Sequence, residues 1–123
     1  MPVVILLLVV VGCGTSPSLP EDNGQAIAES FLTRIRSGQM DEAWQNTTPE
    51  FKSLMGRESF RDFVRKRPLF KETPRFQGSK PLENQALKLV ECQFSVDRPK
   101  AGPIRVVLAP SGSTWQVERL IVD

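Results

Sequence analysis

The chain has no histidine and no tyrosine among its 123 residues, and only two cysteines. Without histidine it lacks the usual general base near neutral pH and the commonest metal ligand. Without tyrosine it has no phenol to steady a developing oxyanion. The cysteines, Cys13 and Cys92, do not make a paired metal motif, and neither a glycine-rich phosphate loop nor a serine-centred elbow is present. These absences argue against a metal site and a cofactor, and leave catalysis to carboxylates. Charge of one sign is scarce too: 16 Lys and Arg against 14 Asp and Glu give net +2, an ordinary surface that predicts no nucleic-acid partner. Arg65-Lys66-Arg67 is the only run of three basic residues, and its place at a predicted helix end suits the last-turn carbonyls and solvent. No apolar run reaches the roughly 20 residues that span a bilayer.

The longest such run, Val3 to Val11, ends in Val10-Val11-Gly12-Cys13. An apolar stretch closed by small residues and a cysteine resembles the lipobox of bacterial lipoprotein signal peptides, although Met1-Pro2 carries no basic residue. The resemblance implies that residues 1–12 are a signal peptide and that Cys13 becomes a lipidated N-terminus. The partner would then be a membrane, reached through the lipid on Cys13. Localisation would be the cell membrane or outer membrane, facing periplasm or exterior, with Gly14 rather than Asp favouring the outer membrane in a cell with two. Residues 13–22, rich in Pro, Ser and Gly, read as the lipidated cysteine and a flexible linker.

One domain, residues 23–123, follows. Ile27, Ala28, Phe31, Leu32 and Ile35 recur at helical spacing between an Asn23 cap and a Gly38 stop. A short helix holds Met40, Ala43 and Trp44. Thr48-Pro49 caps another, carrying Phe51 and Leu54 and closed at Gly56. Phe60, Phe63 and Val64 share one face of a last helix that Pro68 ends.

From Phe76 the period changes to two. A weak strand at Arg75–Lys80 precedes a clear one, Ala86 to Val96, which places Cys92 on an apolar face with Val90, Phe94 and Val96. A buried thiol there is inert. Ile104, Val106 and Leu108 alternate in the next strand. Ser111-Gly112-Ser113 then turns into Thr114–Val122, where Trp115 and Val117 are out of phase with Leu120 and Val122 unless a bulge lies near Glu118-Arg119.

Helices followed by an antiparallel meander predict an α+β fold, with N-terminal helices packed on a sheet of about four strands. Ala28-x-x-Phe31-Leu32, Ser37-Gly38, Asp41-Glu42-Ala43 and Phe51, together with Gly112-Ser113-Thr114-Trp115-Gln116-Val117, resemble small bacterial lipoproteins of the nuclear transport factor 2-like family. That resemblance implies a cystatin-like cone: a curved sheet cupping the helices, with a cavity at its open end. Phe31, Phe60, Asp62, Phe63 and Trp115 are the candidates for that cavity. Enzymes of this fold use an Asp or His base, often with Tyr donors. Here only acids remain, among them Asp41, Glu42, Glu50, Glu58, Asp62, Glu83 and Glu91. Asp62 is the least unsuitable base, although pairing with Arg65 or Lys66 suits it better. The expected function is a lipid-anchored, non-catalytic envelope module that binds a partner protein or a small apolar ligand. The alternative is an isomerase- or dehydratase-like enzyme using one buried carboxylate. A weaker idea attracts Arg61, Arg65, Lys66 and Arg67 to anionic lipid heads beside the anchor.

Overall fold

The computed structural model describes residues 22–84 and 87–122, so the expected signal peptide, Cys13 and most of the linker lie outside the described residues. Four α-helices come first: α1 (Gln25–Arg36), α2 (Met40–Gln45), α3 (Pro49–Leu54) and α4 (Arg57–Arg65). A 3-10 helix at Pro68–Lys71 leads into four strands, β1 (Arg75–Asn84), β2 (Leu87–Ser95), β3 (Ile104–Ser111) and β4 (Thr114–Val122). The strands form one antiparallel meander in the order β1-β2-β3-β4. The fold is α+β, with the helices packed on one face of the sheet.

Helix α1 starts one residue later than the Asn23 cap expected. Gly24 holds the cap position with φ 78°, while the Asn23 carboxamide accepts from the Gln25 amide at 3.0 Å. The glycine is required twice. Its left-handed backbone suits no β-carbon, and a Cβ there would fall onto the side chain of Leu108. Along the helix Ala28, Phe31, Leu32 and Ile35 are buried, the stripe expected of an amphipathic helix. In α3 the Thr48 hydroxyl accepts from the Phe51 amide at 3.1 Å, with Pro49 at the first helical position. Phe51 is buried, whereas Leu54 on the other side is 74% exposed.

Phe60 and Val64, four residues apart on α4, turn inward together. Phe60 meets Phe31 at 6.0 Å between ring centroids and Phe51 at 5.8 Å. From the sheet, Cys92, Phe94, Ile104, Val106, Leu108, Trp115 and Val117 close the core. The 3-10 helix was not foreseen from sequence. It buries Phe70 against this cluster.

Two irregularities shape the sheet. Leu108 pairs with Val117 and Val107 with Arg119, so Glu118 is the extra residue. This bulge returns Leu120 to the buried side, as the phase of β4 required. Phe76 pairs with Phe94 and Gly78 with Gln93, leaving Gln77 unpaired in β1. Bulges bend strands and raise the local twist. On the β4 edge, Thr48 donates its amide to the Val117 carbonyl at 2.9 Å. The β1 edge carries Lys80 and Pro81, residues that discourage further strand pairing.

Candidate functional site

Phe31, Phe51, Phe60 and Phe94 fill the space between helices and sheet. A recess lies instead among the helices, at the C-terminal end of α1. Gly38, with φ 86°, ends that helix and turns the chain directly into α2. Ile35 and Met40 thereby become neighbours on a floor completed by Val64 of α4 and Phe70 of the 3-10 helix. The recess has a volume of about 320 Å³. No strand residue lines it.

Its rim is wholly cationic: Arg36, Arg61, Arg65 and Lys71. Arg61 is held by Asp41 at 2.6 Å and lies 3.6 Å from Glu58. The hydrogen bond and charge of Asp41 hold the Arg61 guanidinium above the usual arginine value. Arg65 pairs with Asp62 at 3.1 Å. Arg36 donates to the Thr73 hydroxyl at 2.7 Å and, among the described residues, meets no carboxylate. Lys71, exposed beside Phe70, makes neither a hydrogen bond nor an ion pair among the described residues.

The residues proposed from sequence do not enclose one cavity. Phe31 and Trp115 line a separate groove with Ile27 and Arg34, about 290 Å³ in volume. Phe60 is sealed in the core. Phe63 is half-buried, with the Arg67 guanidinium 3.9 Å above its ring and Phe70 at 6.1 Å. Asp62 is an exposed partner of Arg65 and lines neither recess. In the basic run, Arg67 donates to the Phe63 carbonyl at 2.9 Å, which serves the helix end as its position suggested. Phe70 and Lys71 escaped the sequence reading, which placed Met40 on a helix but at no site. The one available signal was Leu69-Phe70 directly behind Pro68, two large apolar residues too few to show a period.

Two titratable groups are buried elsewhere. Cys92 is wholly buried, its thiol 3.5 Å from the Asn23 carbonyl, and burial pushes its pKa up to about 11. Glu91 is 7% exposed but sits across the sheet from the helices, opposite Val107 and 3.7 Å from Lys80. Among the described residues no three acidic or cysteine side chains gather as a metal-binding group, and no helix is long and apolar enough to cross a membrane. No protein-family model and no curated protein shows a significant match to this chain.

Proposed function

We propose that this is a lipid-anchored envelope protein whose domain, a cystatin-like cone of the nuclear transport factor 2-like kind, binds a small apolar ligand and catalyses nothing. The observation that carries the binding reading is the recess floored by Ile35, Met40, Val64 and Phe70. Its volume of about 320 Å³ falls at the lower end of ligand pockets, roughly 300–1,000 Å³. The order of helices and meander, with bulges at Gln77 and Glu118, supports the cone.

Against an acid–base enzyme stands the placement of carboxylates. The core between helices and sheet is occupied by phenylalanine rings, and the one buried carboxylate among the described residues, Glu91, lies on the other face beside Lys80. A general base needs a reacting atom within hydrogen-bond reach, and Asp62 faces solvent. The anchor rests on the junction at Cys13. A stretch of chain extends at most about 3.5 Å per residue, so the ten residues 13–22 would hold the start of the domain within about 35 Å of the lipid.

The test is titration with a neutral environment-sensitive fluorophore, N-phenyl-1-naphthylamine. Saturable one-to-one binding is expected, abolished by Met40→Lys without loss of the thermal transition. Binding that ignores Met40→Lys, or no saturable binding, would contradict the reading.

A further inference from the structure

The apolar floor gives no reason for its surroundings to be basic, yet every charged side chain lining the recess is a cation. Two of the four are already engaged. Arg61 is tied to Asp41 at 2.6 Å, and Arg65 to Asp62 at 3.1 Å. Arg36 and Lys71 are different: among the described residues neither meets a carboxylate, and they stand on separate elements, α1 and the 3-10 helix. Both are exposed. A neutral apolar ligand would use the floor alone. One with an anionic head would also pair with Arg36 and Lys71 while its tail covers Ile35, Met40, Val64 and Phe70.

We infer that the recess takes a single-chain anionic amphiphile, a short fatty-acid-like molecule free in solution, with its head between Arg36 and Lys71. The inference rests on the apolar-ligand reading above and names the ligand class. A volume of about 320 Å³ suits one short chain rather than the paired chains of a bilayer lipid. Guanidinium and ammonium groups both donate to carboxylate and phosphate oxygens, and such charge-assisted bonds are stronger than neutral ones. The head would complete the pairing that Asp41 and Asp62 give the other two cations.

The experiment compares octanoate with 1-octanol, equal in tail and different in head charge. The full chain is labelled at isoleucine and methionine methyls, and shifts at Ile35 and Met40 report the recess. Octanoate should bind about tenfold tighter than octanol, a difference of about 1.4 kcal/mol. The double variant Arg36→Gln, Lys71→Gln should bring the two ligands to parity, weakening octanoate far more than octanol. Equal binding to the native chain would overturn the anionic head and leave the apolar-ligand reading standing. A preference that survives the double variant would overturn the assignment of the head to Arg36 and Lys71. Failure of both ligands would overturn the inference and the reading together. Capture by phosphatidylglycerol vesicles that the double variant abolishes, with no octanoate shift at Ile35 or Met40, would replace it with a membrane-surface role. The apolar N-terminal run is common to both proteins, so the difference between them isolates the recess.

Discussion

The indole N–H of Trp115 donates to the carboxylate of Asp22 at 2.9 Å, joining residues 93 positions apart. Asp22 uses the same oxygen to accept from the Gly24 amide at 2.7 Å. The start of the helical layer is thereby fixed to the final hairpin. Trp115 itself is only 5% exposed. Truncation to Ala should cost about 3–5 kcal/mol, as for other buried aromatics. The hydrogen bond is a smaller part of this. A double-mutant cycle of Asp22→Ala with Trp115→Phe should give a coupling of about 0.5–1.5 kcal/mol. Strict additivity in chemical denaturation would show that the pair does not act.

Gly24→Ala should be among the costliest small substitutions in the chain. It forces a side chain into a left-handed backbone and onto Leu108. Strain and overpacking together predict a loss of at least about 2 kcal/mol, read as a fall in the denaturation midpoint. By contrast, Gly56→Ala meets open space at a negative φ and should change stability by less than about 1 kcal/mol.

Cys92 predicts an alkaline weakness. Burial holds its folded-state pKa at about 11, above the ordinary 9.0. Below pH 9 both states keep the proton and the thiol adds no pH dependence. Between 9 and 11 the unfolded chain ionises first, so stability falls as pH rises, by at most about 1.4 kcal/mol per pH unit. Cys92→Ala should remove that part of the slope. Native protein should also resist maleimide at Cys92 until denaturant is added, and rapid native labelling would contradict its burial.

These sites show what period and spacing make legible. The α1 stripe, the Thr48-Pro49 cap, the burial of Cys92 and the bulge at Glu118 all follow from local patterns in the sequence. The recess does not. Its floor joins one residue from each of α1, α2, α4 and the 3-10 helix, and no local pattern encodes how four short elements converge. The need for glycine at the α1 cap was equally hidden, because the Leu108 side chain that a Cβ at position 24 would meet comes from across the core. Phe60 and Phe63 read alike by spacing, but α4 turns the first inward and leaves the second beneath Arg67.

Asp62→Asn tests the alternative chemistry. The residue is exposed and paired with Arg65 at 3.1 Å, and such surface pairs contribute about 0–1 kcal/mol. Stability should change little, and the variant should complement a deletion strain. Failure to complement with normal folding and localisation would put a carboxylate-based enzyme first.

A binding domain held at a membrane through Cys13 makes a clear demand on the fractionation of Cys13→Ser. A single acyl chain anchors only marginally, whereas a multiply acylated cysteine anchors stably. The native protein should sediment with membranes at a mass showing loss of residues 1–12 and gain of lipid. Cys13→Ser should either leave the membrane fraction or remain unprocessed. Unchanged fractionation together with an unchanged mass would contradict an anchor at Cys13.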